Sequence, residues 1–351
     1  MSEQVSEVQT SVDGKVGRIR LDRPKAIHAL TPAMCEAMSA ALLAWRDDPA
    51  VEAVIIDHAP GTRGFCAGGD VVTLARSGAE GGAQADAFFF IEYRLNHLLF
   101  TYPKPTLAIM DGITMGGGVG IALPCDYRVA TQNTKLAMPE TGIGLFPDVG
   151  GGWYLPRLPG RIGEFMALTG ARLDGAECHY LGLATHYVKS AEVAELVARI
   201  IAAPARLTGA LGAASTTPPE ARIAANEAAI HKHFASDELE EILTALDADE
   251  SDWATTEAAT IRTKSPLSCK VSLRLMAEGK QRTDFADEMT AEYALATHVA
   301  RSWDFREGVR ALLIDKDNAP KWAPATPAEV TPAMLDELFA PAAETWTPFE
   351  A

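Results

Sequence analysis

Apolar residues in the first 130 positions have the spacing of strands, with helical spacing between the runs. Four runs predict strands, at 8–11, 16–21, 51–57 and 106–110. The first two flank Asp13-Gly14, a dipeptide typical of tight hairpin turns. Thr31-Pro32 supplies a cap and a first-turn proline for one helix, and residues 86–100 carry a second helical pattern. The pattern predicts an α/β fold for this part of the chain.

The pattern becomes mainly helical beyond about residue 203. Amphipathic helical spacing recurs in five segments, at 222–233, 238–246, 265–276, 285–300 and 305–313. The segment 203–219 is rich in Ala, Gly, Thr and Pro, a composition typical of a boundary. The sequence therefore predicts a core region at 1–203 and a mainly helical C-terminal region at 204–351.

Two glycine-rich loops each follow a predicted strand. The first spans 61–70, and the second contains Gly116, Gly117 and Gly118 and leads into a short helix at 119–123. Glycine lets a backbone approach a ligand closely and leaves its amide N–H groups uncovered. Two such loops favour a site that binds a negatively polarised oxygen over two ordinary tight turns.

The composition is that of a soluble globular protein and excludes several classes of function. The 351 residues carry 47 acidic and 31 basic side chains, a formal charge of -16 that argues against nucleic-acid binding. No apolar run is long enough to span a bilayer, and residues 1–10 lack the pattern of a signal or transit peptide. We therefore expect a cytoplasmic protein with neither a nucleic-acid nor a membrane partner.

The five cysteines show no metal-binding or redox spacing. Their number is odd and no CxxC pair occurs, so buried free thiols in a reducing compartment are expected. The sequence contains no GxSxG, Walker A or strand-linked GxGxxG motif. It therefore predicts no metal ligands and does not favour a serine hydrolase, a P-loop NTPase or a dinucleotide enzyme.

Two acidic residues lie in apolar surroundings after the second glycine loop. Glu140 follows Pro139 and Asp148 follows Pro147, each among large apolar neighbours. Burial pushes the pKa values of two nearby carboxyl groups apart, so that one is protonated and the other ionised near neutral pH. Such a pair supplies an acid together with a base or a nucleophile.

Several segments together resemble the crotonase superfamily, also called the enoyl-CoA hydratase/isomerase family. The superfamily motifs are LDRPKAIHALT at 21–31, GFCAGGD at 64–70 and MDGITMGGGVGIALPCDYRVAT at 110–131. The closer resemblance is to the 3-hydroxyisobutyryl-CoA hydrolase branch, carried by AMPETGIGLFPDVGGGWYLPRLPG at 137–160 and FREGVRALLIDKDNAPKW at 305–322. The resemblance covers most of the chain in the right order.

The resemblance implies a fold, a substrate class and roles for particular residues. The fold is expected to be a spiral of ββα turns with a helical C-terminal region, and members of the superfamily commonly form homotrimers. Two backbone N–H groups, on Ala67 and Gly117, are expected to bind the thioester oxygen, with Glu140 and Asp148 as the catalytic carboxylates. Glu92 is expected near the substrate. The other positions that the resemblance assigns to substrate binding are Lys25, Ala26, His28, Gly68, Gly69, Asp70 and Gly116.

One departure from the hydratase pattern favours hydrolysis. Enoyl-CoA hydratases carry two glutamates, of which the first falls at Gly120 in this chain, whereas Asp148 stands where they have a small residue. One of two water-handling acids is thus missing, which disfavours hydration of a double bond. The hypothesis is hydrolysis of an acyl-CoA thioester, by resemblance 3-hydroxyisobutyryl-CoA in valine breakdown. The CoA group is part of the substrate, and no separate cofactor is expected.

Several alternatives stay open. Glu140 either attacks the carbonyl carbon to form a mixed anhydride or acts as general base on water, and Asp148 either orients the substrate hydroxyl or protonates the leaving thiolate. An enoyl-CoA isomerase also needs two N–H donors and can work with one carboxylate. A non-catalytic acyl-CoA-binding or RNA-binding relative is the third alternative, since fold does not fix function. The sequence does not determine which acyl chain the pocket accepts.

Overall fold

The computed structural model describes residues 7–350 of the chain. Residues 1–6 and 351 lie outside the described residues, and the prediction that no targeting segment is present falls partly on them. No helix in the described part is long and apolar enough to cross a membrane.

The strands of the described residues form two sheets. They are β1 Val8–Asp13, β2 Val16–Leu21, β3 Ala53–His58, β4 Gly64–Cys66, β5 Thr106–Met110, β6 Ile113–Met115, β7 Tyr127–Ala130, β8 Lys135–Ala137, β9 Leu173–Asp174 and β10 His186–Tyr187. One sheet has the order β1-β2-β3-β5-β7-β10 and the other β4-β6-β8-β9. β1 is antiparallel to β2 and β9 to β8, whereas the remaining pairs are parallel.

The chain alternates between the two sheets as it advances. β3, β5 and β7 lie in the larger sheet, and each is followed at once by a strand of the smaller sheet, β4, β6 or β8. Helical segments follow each of these pairs. This repeat is a spiral of ββα turns, which confirms the fold class expected from the sequence.

Helices dominate the described chain after β10. The helices are α1 Pro32–Arg46, α2 Val71–Ala79, α3 Ala83–Phe100, α4 Gly117–Ala122, α5 Gly151–Tyr154, α6 Ile162–Thr169, α7 Gly175–Tyr180, α8 Ser190–Ala202, α9 Leu207–Ala214, α10 Glu227–His233, α11 Leu239–Asp247, α12 Asp252–Arg262, α13 Pro266–Gly279, α14 Phe285–Val299, α15 Trp303–Val309 and α16 Pro332–Leu338. The helical C-terminal region is therefore confirmed. One hydrophobic core cluster includes residues from Val8 to Trp346, so this region packs on the same core as the spiral. The boundary at residue 203 stays a prediction.

The predicted and observed secondary structures differ at short strands and at helices with a weak apolar pattern. The hairpin β1–β2 and the helix α1, capped by Thr31, are as predicted. The pattern does not predict β4, which lies in the glycine loop at 61–70, or β6, which directly precedes the second glycine run, because three residues are too few to show an alternation. The pattern also does not predict α2 and α12. The buried face of α12 consists of Ala254, Ala258 and Ile261, and alanine contributes little to an apolar pattern.

The cysteines are free and buried, as the sequence predicts. Burial raises the pKa of the Cys66, Cys125 and Cys269 thiols to about 12. It also raises the pKa of Cys35 and Cys178. These thiols are therefore protonated at neutral pH and unsuited to act as nucleophiles.

The segment 346–349 packs on the outer side of α3. The indole of Trp346 is 2% exposed and donates its N–H to the carbonyl oxygen of Phe90 at 3.1 Å. Arg94 donates to two carbonyl oxygens of the same segment, at 2.8 and 3.1 Å. The far end of the chain is therefore bound to the helix that carries Glu92.

Candidate active site

Three parallel strand ends bring the predicted site residues together. β4 pairs with β6 and β6 with β8, so their carboxyl ends lie side by side. Gly69, Gly117 and Glu140 follow the last residues of these strands by three, two and three positions. Glu92 from α3 and Asp148 from the loop before α5 line the same cavity. Its apolar lining is Val71, Leu74, Phe88, Phe89, Ile143 and Leu145.

Gly69 and Gly117 present backbone N–H groups to this cavity. Leu30 pairs with the chain on either side of Gly69: its N–H donates to the carbonyl oxygen of Gly68 at 2.7 Å, and its carbonyl oxygen accepts from the N–H of Asp70 at 3.0 Å. The N–H of Gly69 therefore points the opposite way, and no acceptor for it occurs among residues 7–350. The N–H of Gly117, the first residue of α4, likewise has no acceptor within the described chain. Two uncovered donors suit an oxygen that gains negative charge.

The structure does not support Ala67 as one of these donors. The N–H of Ala67 donates to the carbonyl oxygen of Ile27 at 2.9 Å, and Ala67 does not line the cavity. A glycine-rich motif shows which residues are small but not which N–H faces inward. Gly69, which the sequence assigns only to substrate binding, has the uncovered N–H on the cavity side.

Three carboxyl groups are buried around the cavity. Glu92 is 2% exposed, and Glu140 and Asp148 are each 5% exposed. One oxygen of Glu92 and one of Glu140 have no hydrogen-bond partner within the described residues. Asp148 accepts from the phenol O–H of Tyr93 at 2.8 Å. The sequence alone does not reveal Tyr93, because it follows Glu92 directly on a helix and adjacent helical residues point about 100° apart.

Burial and repulsion divide the protons unequally among these acids. Burial raises the pKa of Glu92 and of Glu140 well above the usual range, and the charge of Asp148 raises both further. Burial also raises the pKa of Asp148 to about 6, while the hydrogen bond from Tyr93 lowers it. These shifts make Asp148 the most readily ionised of the three groups and favour the protonated forms of Glu92 and Glu140. They separate the pKa values of Glu140 and Asp148 in one direction, with Glu140 as the weaker acid.

Glycine at positions 116 and 117 leaves room for carboxyl groups that approach closely. A Cβ on Gly117 would lie 2.5 Å from Oε1 of Glu92, and a Cβ on Gly116 would lie 3.0 Å from Oε1 of Glu140. Gly116 also has a left-handed φ of 48°. The glycine run therefore provides a free N–H and the space that the acids occupy.

The other glycine-loop residues have different positions. Gly68 and Gly116 line the cavity beside Gly69, whereas Asp70 does not. The assignment of all three residues to substrate binding stays a prediction. The Asp70 carboxylate caps α2 and pairs with the guanidinium of Arg23 at 3.1 Å. Asp70 therefore holds the loop in place from outside.

The imidazole of His28 is fully buried and bonded within the protein, so the structure does not support a substrate contact through this side chain. Its Nδ1 accepts from the N–H of Arg23 at 2.8 Å, and its Nε2 pairs with the hydroxyl of Thr62 at 2.9 Å. Burial lowers the pKa of His28 to about 4, so the ring is neutral. Lys25 is exposed and Ala26 half-buried on the preceding turn, where both are accessible to a ligand outside the cavity.

Gly120 makes room for the loop that carries Asp148. A Cβ at position 120 would lie 2.5 Å from Cβ of Val149 and 3.0 Å from Nδ2 of Asn96. Asn96 also donates to the carbonyl oxygen of Gly120 at 2.9 Å. A glutamate at position 120 is therefore incompatible with the present course of the loop. The loop that carries Asp148 can follow this course because residue 120 is a glycine.

Two uncovered amides facing buried acids in a two-sheet spiral define an enzyme-like site for chemistry at a carbonyl group. A family model described as enoyl-CoA hydratase/isomerase matches residues 16–339. The chain belongs to the enoyl-CoA hydratase/isomerase family.

Curated relatives match nearly the whole chain. The 3-hydroxyisobutyryl-CoA hydrolase of Danio rerio, described as mitochondrial, is 42% identical over 343 residues, which cover 95% of this chain and 89% of that protein. The Homo sapiens protein of the same description is 40% identical over 348 residues, covering 96% of this chain and 89% of that protein. A cytoplasmic location and a homotrimer stay predictions for this chain.

Two solved structures share the architecture. A carnitinyl-CoA dehydratase from Mycobacterium thermoresistibile has a TM-score of 0.93 and 42% identity, covering 97% of this chain and 98% of that one. An enoyl-CoA hydratase from Rhodobacter sphaeroides 2.4.1 has a TM-score of 0.89 and 37% identity, covering 96% of this chain and 98% of that one. The relatives are named for different reactions, so the residues of the site must distinguish hydrolysis from hydration.

Proposed function

We propose that this protein hydrolyses the thioester of 3-hydroxyisobutyryl-CoA, a step of valine breakdown. The observation that carries the proposal is the meeting of two uncovered amides, on Gly69 and Gly117, with Glu92, Glu140 and Asp148 in one cavity. Curated relatives at 42% and 40% identity over almost the whole chain are named for that reaction.

The thioester oxygen binds between the N–H groups of Gly69 and Gly117. Attack on the carbonyl carbon moves negative charge onto this oxygen, and donors that are already in place stabilise the charge without reorganisation. The loss of one such donor typically lowers kcat by about 10²–10³. These amides therefore supply a large share of the rate enhancement.

A proton transfer from Glu140 to Asp148 prepares both groups for reaction. In the proposed resting state Glu140, whose pKa is raised well above its usual range, holds the proton, and Asp148 is ionised. After the transfer, the Glu140 carboxylate attacks the carbonyl carbon or takes a proton from an attacking water. Protonated Asp148 gives its proton to sulfur as the carbon–sulfur bond breaks, and CoA leaves as the thiol. On the anhydride route, water then cleaves the mixed anhydride, which returns neutral Glu140 and releases the acid.

Glu92 binds the hydroxyl group of the acyl chain. Burial raises its pKa well above the usual range, which favours the protonated carboxyl group, and its Oε1 has no partner within the described residues. A protonated carboxyl group both donates and accepts a hydrogen bond, as a hydroxyl group requires. Glu92 lies next to Gly117, where the carbonyl oxygen binds. This position suits a hydroxyl group close to the thioester.

Hydration of an enoyl-CoA is the competing function, because the two solved structures are named for a dehydratase and a hydratase. Hydration by the two-glutamate pattern needs an acid at position 120. That position is glycine, and the side chain of Val149 fills the space beside it. The site therefore favours hydrolysis, and the same contact argues against adding the missing acid.

Release of CoA thiol tests the proposal. Purified protein is mixed with 3-hydroxyisobutyryl-CoA and a thiol reagent, and we expect steady release by the wild type. E140Q and D148N should reduce kcat by about 10²–10⁴, the usual contribution of a general acid or base. Absence of release with this ester and with its 3-hydroxypropionyl analogue would exclude hydrolysis. Loss of enoyl absorbance with crotonyl-CoA in the same preparation would favour hydration instead.

A single turnover in water labelled with ¹⁸O separates the two roles of Glu140. Direct attack, followed by cleavage of the anhydride by water at the Glu140 carbonyl, predicts label in the Glu140 carboxyl group, found by mass spectrometry of the peptide that contains it. General-base catalysis predicts label only in the released acid. D148N, treated in the same way, controls for labelling without turnover.

A further inference from the structure

A carboxyl group outside the cavity binds the backbone that follows Asp148. Glu292, on α14, is fully buried. Its Oε2 accepts from the N–H of Gly150 at 2.8 Å, and its Oε1 accepts from the N–H of Gly152 at 3.0 Å. Glu292 does not line the cavity, so its contact with the site runs through this loop. It also acts on the site at longer range, since burial raises the pKa of Glu292 and the charge of Asp148 raises it further.

The loop that Glu292 binds has an unfavourable backbone conformation. Val149 is a β-branched residue in the left-handed region, with a φ of 53°, and Gly150 follows with a φ of 92°. Such a conformation costs about 1–3 kcal/mol and persists only where the surroundings enforce it. Two contacts enforce it here. The side chain of Val149 packs on Gly120, and Glu292 binds the amides on its C-terminal side.

The conformation of Val149 determines where Asp148 points. Asp148 directly precedes Val149, and its side chain accepts from Tyr93 at 2.8 Å. Its carbonyl oxygen accepts from the N–H of Gly151 at 2.8 Å. Relaxation at Val149 would turn both groups away from their partners. Without the Glu292 acceptor the loop would also contain buried N–H groups without a partner, which favours relaxation.

We propose that Glu292 is a positioning residue for Asp148. It fixes the strained loop by binding the two amides after Val149, and so directs the Asp148 carboxylate into the cavity. The inference rests on the proposed function, in which protonated Asp148 delivers a proton to the leaving thiolate. Loss of the Glu292 carboxylate therefore slows the chemical step rather than substrate binding, so kcat falls while KM changes little. A misplacement of about 1 Å lowers the rate about 10²-fold.

E292Q and E177Q form a matched pair for the kinetic test. Gln at position 292 keeps one acceptor but turns an NH₂ group toward the second amide. Glu177, on α7, is 4% exposed and likewise accepts from two backbone N–H groups, those of Asp174 at 2.8 Å and Ile223 at 3.1 Å, but it does not line the cavity. With 3-hydroxyisobutyryl-CoA we expect kcat to fall about 10²-fold in E292Q with KM within about twofold. E177Q should keep both values within about twofold of the wild type.

Hydrogen exchange gives a readout that does not depend on turnover. We expect the amides of 149–152 to exchange faster in E292Q than in the wild type and to be unchanged in E177Q. E292D retains both oxygens on a shorter side chain, and the amides of 149–152 should exchange faster in it by a smaller factor than in E292Q. E292D also provides the test if E292Q does not fold.

Each outcome decides one of the two claims. Equal kcat and equal exchange in E292Q, or in E292D if only that variant folds, would overturn the positioning role. A raised KM with unchanged kcat would overturn it as well. If the wild type releases no thiol, the proposed function fails, and the exchange data then decide the positioning role separately.

Discussion

Replacing Asp148 by Asn should stabilise the protein at neutral pH while it removes activity. Burial raises the pKa of Asp148 to about 6, from 3.8 in the unfolded chain. The ionised form is therefore disfavoured in the folded protein by about 3 kcal/mol, at 1.36 kcal/mol for each pKa unit. Asn has nearly the same shape, carries no charge, and retains an oxygen that accepts from Tyr93.

The sign of the pH dependence follows from proton binding. Between pH 3.8 and about 6 the folded protein binds more protons at Asp148 than the unfolded chain does. The free energy of unfolding contributed by this residue therefore falls as the pH rises through that window. Below about pH 4 the carboxyl group is neutral in both the folded and the unfolded state, so D148N and the wild type have the same free energy of unfolding. Above about pH 6 the free energy of unfolding of D148N is higher by the full difference of about 3 kcal/mol.

Thermal unfolding at two pH values measures this effect. For a chain of 351 residues, 3 kcal/mol corresponds to about 4 °C in Tm. We expect D148N to unfold about 4 °C above the wild type at pH 7 and at the same temperature as the wild type at pH 4. D47N, which changes a side chain that is 83% exposed, should follow the wild type at both values. A D148N difference that does not depend on pH, or a lower Tm at pH 7, would refute the reasoning.

Three further substitutions test the site and its support. Y93F removes the donor to Asp148 and so raises the pKa of that carboxyl group. Since such a bond contributes about 1.5–3 kcal/mol, the acid limb of the kcat/KM profile should move up by about one to two pH units. G120E should lower the free energy of unfolding by about 3 kcal/mol, because its Cβ overlaps Val149, and should not hydrate crotonyl-CoA. W346A should lower the free energy of unfolding by about 3–5 kcal/mol in denaturant titrations, because the indole is buried.

Control variants distinguish these effects from the nonspecific effects of a substitution. Y102F removes a phenol O–H that donates to the carbonyl oxygen of Leu42 at 2.8 Å, outside the cavity, and should not move the pH profile. G212A adds a methyl group in open space, and W303A removes an indole that is 50% exposed. Both should change the free energy of unfolding by less than about 1 kcal/mol. A profile shift in Y102F, wild-type stability in G120E, or equal effects of W303A and W346A would contradict the structural account.

Long elements and small residues are what the sequence reveals best in this protein. The strand β5 and the helices α1 and α14 repeat their apolar spacing over enough residues to be recognised. The glycine loops and the acids Glu140 and Asp148 are visible because glycine and a carboxylate among apolar neighbours are both unusual. Residue types therefore predict which residues form the site.

The sequence does not reveal how the backbone N–H groups and side chains of the site are oriented. Whether Ala67 or Gly69 turns its N–H inward depends on the pairing with Leu30, which lies more than thirty residues earlier in the chain. The contact of Tyr93 with Asp148 spans 55 positions, and that of Glu292 with Gly150 spans 142. No local spacing encodes such contacts, since they arise only when the spiral and the helical region pack together.

The burial of the cysteines has a practical consequence for experiments. All five thiols are enclosed in the folded protein and held protonated, so an aromatic disulfide reagent detects only the CoA that is set free. Unfolding exposes five thiols in each chain. The same reagent without substrate therefore counts unfolded molecules, with a fivefold signal for each one. The same assay therefore distinguishes variants that are inactive because they unfold from folded variants in which only the chemical step is slowed.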